Sequence, residues 1–433
     1  MALGTDIVKI KRIEHLIESG IPRKIFSESE ICYIDSKKDK AQTAAGMFAA
    51  KEAVLKAVGC GITLPLNEVE ICHNEKGAPL VKFYGKAREC IEKNFLTVWE
   101  ISISHDGEYA IASAMCQIDR EAAMCLEPLK KLENASENAI TPKMVQTCLP
   151  VRNTSTHKGN YGRLYVLAGS MGLTGAAIMA CTSALKCGTG LISLGCAREL
   201  NTIFEIAMKE VMTKPLESKD GLIVKDELKT IISEIQNADV CLIGPGIGRS
   251  RDLTDVVKSI IASDITTTLV LDADGLNAIS DDTSVLEGHK MPLIITPHIG
   301  EFSRLTGVPS EEILKDTTKY AKEFAKKYNA VAVLKSHRTV VASPEGEVYE
   351  NVLGNPGMAT GGTGDVLAGA IASFAAQGNT ALTAALCGVY IHSYAADIAV
   401  LKTGEYSLTP TDIIDYIPRA IKTTQVITKE MQA

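Results

Sequence analysis

Residues 355–369 have the sequence Asn355-Pro356-Gly357-Met358-Ala359-Thr360-Gly361-Gly362-Thr363-Gly364-Asp365-Val366-Leu367-Ala368-Gly369. The apolar part of this stretch continues to Ala376 with helical spacing and many small residues. It therefore predicts a glycine-rich loop that leads into the N-terminus of a helix. The first backbone N–H groups of a helix have no partner within it, and glycine lets a ligand approach the backbone closely. We therefore expect this loop to bind an anion.

Asp365 falls in the first turn of the predicted helix, where two interpretations are open. A carboxylate in this position commonly caps the helix and complements its dipole. The alternative is catalytic, because no Lys-Ser or Lys-Thr pair follows the glycines and the loop is therefore not a Walker loop. An acid directed at a bound phosphate suits a general base that takes a proton from a hydroxyl being phosphorylated.

The totals of the sequence indicate a globular protein of two domains. The chain has 433 residues, of which 46% are hydrophobic and 22% charged, and this length exceeds that of one average core. A net charge of −7 argues against nucleic acid or an anionic membrane as a main partner. The 12 cysteines form no C-x-x-C pair, so we expect reduced thiols and a cytoplasmic location.

The most hydrophobic stretch of the chain runs from Ala384 to Leu401. His392, Ser393 and Asp397 interrupt it. Because a membrane span needs about 20 predominantly apolar residues, we expect a buried helix of a soluble core here and no membrane contact. The N-terminal segment, Met1–Arg12, alternates apolar and polar residues and does not resemble a signal peptide.

The first part of the chain places acids and bases on three predicted elements. The segment Leu3–Ile10 has the pattern of a strand with Asp6 near its middle. Thr43–Val58 has helical spacing, and Glu52 and Lys56 are four residues apart on one face of that helix. A surface ion pair between these two residues is the alternative to a functional site. Farther on, His105 stands beside the turn between two predicted strands, where an ordinary loop histidine is equally compatible with the pattern.

Three motifs in this part carry a family resemblance. They are Gly4-Thr5-Asp6-Ile7-Val8, Phe48-Ala49-Ala50-Lys51-Glu52-Ala53-Val54-Leu55-Lys56-Ala57 and Ile103-Ser104-His105-Asp106. In this order and spacing they resemble the holo-acyl-carrier-protein synthase family of small phosphopantetheinyl transferases. The resemblance covers Leu3 to Met115, and it implies a small α+β domain.

The resemblance implies a reaction and a set of roles. The family transfers 4′-phosphopantetheine from coenzyme A to a serine of an apo-acyl-carrier protein, and it suggests a homo-oligomer, specifically a trimer. Asp6 and Glu52 would hold Mg²⁺ on the diphosphate, since Mg²⁺ prefers oxygen ligands. Glu52 would also orient or activate the attacking hydroxyl, Lys56 would stabilise the departing phosphate, and His105 would lie beside the metal. Lys9 is a departure, because a glutamate is usual at that position.

The second part of the chain alternates strands and helices. Continuous apolar runs predict strands at 163–168, 191–194, 240–243, 269–271, 293–295 and 331–334. Buried runs with helices between them are typical of a mainly parallel, doubly wound sheet, in which ligands bind beyond the carboxyl ends of the strands. We therefore expect one edge of the sheet to carry the segments Gly244–Gly248, Asp272–Asp274, Thr296–His298 and Lys335–Thr339. A nucleotide site at this edge is the prediction, although each segment alone is a weak signal.

This second part resembles the ADP- or ATP-dependent NAD(P)H-hydrate dehydratases of the ribokinase-like fold. The resemblance is carried by the glycine-rich loop and by His157-Lys158-Gly159-Asn160-Tyr161-Gly162-Arg163, Thr174-Gly175-Ala176-Ala177, Gly244-Pro245-Gly246, Asp272-Ala273-Asp274-Gly275-Leu276-Asn277 and Thr296-Pro297-His298-Ile299-Gly300-Glu301. The family removes water from NADH or NADPH hydrated at C6 of the nicotinamide ring. Phosphorylation of the hydroxyl makes it a good leaving group, which the lone pair of the ring nitrogen expels.

The resemblance also implies which residues act in the dehydratase. Asp365 would be the base on the hydroxyl, and Gly364 with the loop N–H groups would hold the transferring phosphate. The adenine nucleotide would be lined by Lys335, Ser336, His337, Arg338 and Thr339. The hydrated dinucleotide would be contacted by Ala176, Gly246 and His298. The residues do not choose between ADP and ATP, and nothing in the chain resembles the epimerase domain often fused to this family.

The predicted architecture is α/β overall. It consists of a small α+β transferase domain at 1–119, a polar and partly helical linker at 120–139, and a ribokinase-like doubly wound α/β domain at 140–433. The favoured function is a bifunctional transferase and dehydratase. An alternative makes the second domain a ribokinase-like kinase of a small vitamin alcohol and the first a non-catalytic module that binds a carrier protein or oligomerises. The combination of Asp6, Glu52, Lys56 and His105 favours catalysis in the first domain, and His298 favours the dehydratase in the second.

Overall fold

The computed structural model describes residues 1–59, 64–93, 96–118, 120–152 and 154–426. The chain divides into two compact units, Met1–Leu126 and Glu127–Ala433. Residue 119, at which we place the predicted domain boundary, lies outside the described residues. Residues 120–126 of the predicted linker belong to unit 1 as a helix, and the remainder of the linker belongs to unit 2.

Unit 1 combines antiparallel strands with helices, as the α+β prediction requires. Its elements are β1 (Ala2–Lys9), α1 (Ile10–Ile17), α2 (Glu28–Asp35), α3 (Lys40–Val58), β2 (Val69–His73), β3 (Pro79–Phe83), α4 (Gly85–Lys93), β4 (Leu96–Asp106), β5 (Tyr109–Ile118) and α5 (Arg120–Leu126). In the described part of the unit, one sheet has the order β1-β5-β4 and a second consists of β2 and β3.

The centre of unit 1 is the contact between α3 and one face of the β1-β5-β4 sheet. At Gly4 the strand comes so close to the helix that an added Cβ would lie 2.0 Å from the carbonyl oxygen of Ala53. No side chain fits there, so glycine is required. Because side chains alternate along a strand, Asp6 lies on the same face as Gly4 and therefore near the second half of α3.

The opposite face of this sheet exposes apolar side chains. Leu3 and Ile7 on β1 are 69% and 61% exposed, and Ile111 on β5 is 42% exposed. Ile7 and Ile111 are directly paired across the two strands. Thr5 and Ser113, whose hydroxyl groups are hydrogen-bonded to each other, lie between this pair and Leu3. The face therefore exposes apolar side chains beside polar ones, and the exposed pair of Ile7 and Ile111 is a candidate for contact with a partner.

A buried ion pair joins three elements of unit 1. Lys51 on α3 and Glu30 on α2 have exposed fractions of 0% and 1%, and the Lys51 Nζ lies 2.7 Å from a Glu30 carboxylate oxygen. The same Nζ donates to the carbonyl oxygen of Val69, and the other carboxylate oxygen of Glu30 accepts from the backbone N–H of Ile71. Burial lowers the pKa of Lys51, and the charge of Glu30 opposes that shift.

Removal of one partner should therefore destabilise unit 1 strongly. We expect Lys51→Ala to lower the free energy of unfolding by about 3–5 kcal/mol, because it leaves a buried carboxylate without its cation. The exposed pair of Lys40 and Asp35 provides the control, since Lys40→Ala should cost no more than about 1 kcal/mol. The chain has a single tryptophan, Trp99 in β4, so urea unfolding followed by its fluorescence reports on unit 1. Equal midpoints for the two variants would contradict the prediction.

Unit 2 has the doubly wound architecture predicted from the sequence. Its helices are α6 (Pro142–Cys148), α7 (Thr174–Cys187), α8 (Asn201–Ala207), α9 (Leu228–Gln236), α10 (Arg251–Ile261), α11 (Asp274–Asn277), α12 (Ile299–Thr306), α13 (Ser310–Lys315), α14 (Thr317–Tyr328), α15 (Thr363–Ala376), α16 (Ala381–Thr403) and α17 (Pro410–Val426). Its strands are β6 (Arg163–Leu167), β7 (Leu191–Ala197), β8 (Met212–Leu216), β9 (Ser218–Lys219), β10 (Leu222–Ile223), β11 (Val240–Ile243), β12 (Thr268–Leu271), β13 (Leu293–Ile295), β14 (Val331–Leu334), β15 (Val340–Ala342) and β16 (Val348–Glu350).

The main sheet of unit 2 has the order β16-β15-β14-β13-β12-β11-β6-β7-β8 in the described residues. Pairing is parallel from β14 to β8 and antiparallel among β14, β15 and β16. One face of the sheet packs against α9, α10, α12 and α14. On the other side, α7, α15, α16 and α17 form a contiguous helical layer, and α15 and α16 contact the sheet. This arrangement brings the carboxyl ends of β11 to β14 to one edge.

The helix α15 packs closely against its neighbour through a small residue, and the helix α16 is buried, as we expect from its sequence. At Gly369, α15 lies so close to α7 that an added Cβ would be 2.1 Å from the carbonyl oxygen of Ala180. The helix α16, Ala381–Thr403, is long and apolar enough to cross a membrane, but 89% of its most apolar window is buried inside the protein. Burial of that extent is typical of a core helix, in agreement with the interpretation of Ala384–Leu401.

Candidate active sites

The glycine-rich loop of unit 2 ends at the N-terminus of α15, as predicted. Gly362 is the N-cap residue, with φ +100, and no side chain caps the helix. Asp365 lies in the first turn. The structure thus gives the capping position to Gly362, and the carboxylate of Asp365 is left for another role.

A cavity of about 800 Å³ lies beside this helix end. It is lined by the predicted residues His298, Lys335, Ser336, His337, Thr339 and Gly364, and by the loop residues Asn355, Pro356, Met358, Ala359, Thr360 and Thr363. Arg338 is not part of this wall in the described residues, and its guanidinium lies 3.3 Å from a carboxylate oxygen of Glu350. The cavity therefore brings together most of the residues predicted for the nucleotide.

Lys335 is the central positive charge of this site. Its Nζ lies 2.7 Å from Oδ1 of Asp272, and the hydroxyl of Thr296 donates to the same oxygen. The Nζ also lies 3.3 Å from the point that a Cβ on Gly364 would occupy. Burial alone would lower the pKa of Lys335, but the neighbouring Asp272 raises it. The lysine is therefore charged and directed at the start of α15.

Asp365 has the electrostatic environment of a base. Burial and the nearby Asp272 raise its pKa to about 7, and Lys335 limits the rise. A carboxyl group with a pKa close to neutrality both accepts and releases a proton readily. A group with a perturbed pKa next to such a cavity is a candidate for function.

His298 lies at the rim of the cavity and caps α12. Its Nδ1 accepts hydrogen bonds from the backbone N–H groups of Gly300 and Glu301, so the proton of a neutral ring is on Nε2. A parallel β-bridge joins His298 to Lys335. This bridge places the two predicted site residues side by side.

Ala176 and Gly246 contact each other. A Cβ on Gly246 would lie 2.8 Å from the Cβ of Ala176, and Gly246 has φ +57. Among the described residues, neither of them nor Asp365 belongs to the wall of the cavity. Their predicted contact with the dinucleotide therefore concerns a different part of the sheet edge.

Three polar side chains of the cavity wall lie outside the glycine-rich loop and were not predicted as site residues. They are Asn351, His392 and Ser393. Oδ1 of Asn351 and Nε2 of His392 are buried without a hydrogen-bond partner in the described structure, and burial lowers the pKa of His392 to about 4. A neutral imidazole and an amide oxygen are thus available to a ligand. His392 and Ser393 could have been found from the sequence, because they are polar residues that interrupt an apolar run.

In unit 1 the structure brings three of the four predicted residues together. The Nζ of Lys56 lies 2.8 Å from Oδ1 of Asp6 and also donates to the carbonyl oxygen of Thr5. Burial raises the pKa of Glu52, and the charge of Asp6 raises it further, while Lys56 lowers it. Lys56 therefore pairs with the strand carboxylate, and Glu52 lies close enough to both residues to feel their charges.

His105 lies against the first half of α3. Its Nε2 is 3.1 Å from the carbonyl oxygen of Gln42, and a Cβ on Gly46 would lie 2.6 Å from the same nitrogen. Gly46 is therefore needed for the imidazole to reach the helix. This position is one and a half turns or more before Glu52 on the helix, taking 3.6 residues per turn.

The carboxylates of unit 1 fit a shared Mg²⁺ ion. Asp6 and Glu52 come from different elements and supply oxygen ligands. Burial raises the pKa of Glu52 and the charge of Asp6 raises it further, and a cation would relieve the repulsion between the two acids. No group of three or more His, Cys, Asp or Glu side chains suited to a metal occurs in the described residues. Mg²⁺ is commonly held by one or two carboxylates, with substrate phosphates and water as the other ligands.

Comparison with known proteins supports both resemblances. Residues 164–419 match the family model described as NAD(P)H-hydrate dehydratase, and residues 2–114 match the 4′-phosphopantetheinyl transferase superfamily. A bifunctional NAD(P)H-hydrate repair enzyme of Moorella thermoacetica is 39% identical over 297 residues, which are 68% of this chain and 56% of that protein. The chain therefore spans about half the length of such relatives.

Single-function relatives match more completely. The ADP-dependent (S)-NAD(P)H-hydrate dehydratase of Bacillus subtilis is 32% identical over 65% of this chain and 97% of its own length. The crystal structure of an ADP/ATP-dependent NAD(P)H-hydrate dehydratase from the same organism, co-crystallised with ATP/Mg²⁺, has a TM-score of 0.58 and 30% identity, covering 67% of this chain and 100% of that one. The chain belongs to the NAD(P)H-hydrate dehydratase family, and the part that precedes this domain is similar to the 4′-phosphopantetheinyl transferase superfamily.

Proposed function

We propose that the chain is a bifunctional enzyme. Unit 2 dehydrates the 6S form of hydrated NADH or NADPH with ADP or ATP as phosphoryl donor, and unit 1 transfers 4′-phosphopantetheine from coenzyme A to a serine of an apo-acyl-carrier protein. The observation that carries the first activity is the half-buried Asp365, with a pKa of about 7, at the start of α15 beside Lys335. The family match and the acids of unit 1 support the second.

In the proposed dehydration, Asp365 accepts the proton of the C6 hydroxyl as that oxygen attacks the terminal phosphorus of the nucleotide. The P–O bond to the departing nucleotide breaks, and the phosphate then leaves C6 with the electrons of the C–O bond, which are replaced by the lone pair of the ring nitrogen. The resulting iminium loses a proton from the adjacent ring carbon, C5, to water, and the C5–C6 double bond of NADH or NADPH is restored. Lys335 and the first N–H groups of α15, including that of Gly364, stabilise the charge on the transferring phosphoryl group. Ser336, His337 and Thr339 line the adenine nucleotide, while Ala176, Gly246 and His298 contact the hydrated dinucleotide. Arg338, which pairs with Glu350 outside the cavity wall, is left out of the nucleotide contacts.

The first test removes the proposed base. Asp365→Asn keeps the shape of the side chain but cannot take the proton, so we expect dehydration to fall by roughly two to four orders of magnitude. ADP binding, measured by calorimetry, should remain, because the phosphate contacts come from Lys335 and the backbone. The transferase activity of the same sample is the internal control. Near-normal dehydration by the variant would exclude Asp365 from the mechanism.

The second test uses the pH dependence of the same group. Because the pKa of Asp365 is raised to about 7, the carboxyl is protonated and inactive as a base below that pH. We expect kcat/KM for dehydration to be level above about pH 7 and to fall about tenfold per pH unit below it, since this ratio reports ionisation in the free enzyme. The residual activity of Asp365→Asn should lack this limb. A limb centred near pH 4, the ordinary range for aspartate, would contradict the assignment.

In the proposed transfer, Asp6 and Glu52 would hold Mg²⁺, and the ion when bound would neutralise charge as the diphosphate of coenzyme A is cleaved. The serine oxygen attacks the phosphorus that carries the pantetheine, the bond from that phosphorus to the bridging oxygen breaks, and the adenosine-phosphate part of coenzyme A leaves with the bonding electrons. Glu52 orients the carrier serine or takes its proton, Lys56 stabilises the departing phosphate, and His105 lies next to the diphosphate. The basic residues Lys9, Lys11 and Arg12 suit an acidic carrier protein.

The third test asks whether Asp6 and Glu52 act through one ion. We expect Asp6→Ala and Glu52→Ala each to abolish Mg²⁺-dependent transfer, and the double variant to add little, because residues that act as a unit are non-additive. Glu92→Ala is the matched control, an acid paired with the basic Arg88 at an exposed site. Transfer rates are measured against Mg²⁺ concentration. If Asp6 served solely as the salt-bridge partner of Lys56, stability would fall while the Mg²⁺ response stayed unaltered, and the shared site would be wrong.

The remaining assignments concern assembly and location. The exposed apolar side chains of Leu3, Ile7 and Ile111 support a homo-oligomer, with a trimer as the form that the first domain suggests. Reduced thiols and the two cofactor-related reactions support a cytoplasmic location. Neither nucleic acid nor a membrane is part of the proposal.

A further inference from the structure

Asp397 is a buried acid on a helix that is otherwise almost entirely apolar where it is buried. Its side chain is 2% exposed, and it lies on α16. An ionised carboxylate in such a position is costly unless it is paired and fully hydrogen-bonded. The groups that pair with Asp397 therefore indicate the role of its carboxylate.

Two of those partners lie where the glycine-rich loop begins. The backbone N–H of Gly354 donates to Oδ2 of Asp397 at 2.8 Å, and the side-chain amide of Asn355 donates to Oδ1 at 3.0 Å. Oδ1 of Asn355 in turn accepts from the N–H of Gly357. Gly354 and Asn355 both line the cavity. Asp397 thus fixes the first residues of the loop that ends at Asp365.

The third partner is a cation from the predicted linker. The Nζ of Lys131 lies 2.8 Å from Oδ2 of Asp397 and donates to the carbonyl oxygen of Gly354 at 2.7 Å. Lys131 therefore contacts both the acid and the loop residue that the acid holds. It lies in a short 3-10 helix, Glu127–Leu132, in which Pro128 and Leu129 are buried, so the backbone that carries the lysine is itself fixed.

We propose that Lys131 is a positioning residue of the nucleotide site, supplied by the segment that joins the two enzymatic parts. Its charge balances the buried Asp397, and the balanced carboxylate holds Gly354 and Asn355 so that the loop keeps its ligand-binding shape. The residue lies outside the region 164–419 that matches the dehydratase family. The proposal rests on the assignment of this cavity to ADP or ATP, and it makes the linker a working part of unit 2.

The test measures ADP binding to the full chain by calorimetry. Lys131→Met keeps an unbranched side chain but removes the charge, so the buried carboxylate loses its cation and the loop loses its anchor. We expect ADP to bind about tenfold to a hundredfold more weakly, the range for a displaced binding group. Lys130→Met is the matched control, because the neighbouring Lys130 is exposed and pairs with Glu127, and its affinity should equal that of the wild type.

Rescue distinguishes positioning from a general loss of stability. Lys131→Arg should bind ADP within about threefold of the wild type, because the charge is kept. Asp397→Asn leaves one acceptor oxygen for the two donors, the backbone N–H of Gly354 and the side-chain amide of Asn355. The loop then loses one of its anchors, so we expect ADP to bind about tenfold more weakly in this variant as well, and wild-type affinity there would contradict the proposal. A merely structural ion pair would lower the melting temperature of Lys131→Met but leave the affinity of the folded protein unchanged, and that result would overturn the proposal. Equal weakening by Lys130→Met would also overturn it.

Two further features keep the test decisive. If Lys131→Met does not fold, Lys131→Gln carries the test, because its neutral amide can still donate to the carboxylate, and ADP binding equal to that of the wild type in this variant would overturn the proposal. The readout is nucleotide binding, so it is independent of the dehydration reaction. A wild-type protein that binds ADP but does not dehydrate NADH hydrate would refute the proposed function and leave the role of Lys131 open to measurement by the same assay.

Discussion

The ion pair of Lys335 and Asp272 is the contact on which the site of unit 2 depends. The two side chains follow β14 and β12, so the pair forms only when parallel strands bring their carboxyl ends to one edge. Asp365, Asp272 and Glu301 all lie near this one lysine. Burial is the main cause that raises the pKa of Asp365, the charge of Asp272 raises it further, and Lys335 lowers it. The position of Asp365 beside this ion pair thus creates the base.

Glycines determine how closely the elements that carry charged groups can approach one another. Gly4 lets β1 reach the backbone of α3, which brings Asp6 to Lys56, and Gly46 admits the ring of His105. In unit 2, Gly369 gives α15 its close contact with α7. A methyl group at any of these positions would meet backbone or ring atoms at 2.6 Å or less. The glycines therefore determine how far apart the helices and strands lie, and that distance decides whether the acids and bases can meet.

Sequence patterns predicted strands whose residues are all buried, and they failed for a strand in which buried and exposed residues are mixed. The strands at 240–243, 293–295 and 331–334 are apolar throughout and were placed to the residue. The edge strand β8 contains Lys214 and Pro215 and was not predicted. For the site, the position of Asp365 followed from the loop and the family resemblance. The contact of Lys56 with Asp6, 50 residues away, and that of Lys131 with Asp397, 266 residues away, depend on tertiary packing that no local period reveals.

The two units use the same electrostatic arrangement on unrelated folds. In each, a lysine forms an ion pair with one carboxylate, Lys56 with Asp6 and Lys335 with Asp272. A second carboxyl, Glu52 or Asp365, has its pKa raised by burial and by the paired acid and lowered by the same lysine. The lysine opposes the rise in both units, and for Asp365 the pKa is about 7, which suits exchange of a proton near neutral pH. In both proposed reactions a hydroxyl loses its proton while a phosphoryl group is transferred to its oxygen. The same lysine can stabilise the charge of that phosphoryl group. A shared chemical requirement therefore accounts for the shared arrangement without any common ancestry of the two sites.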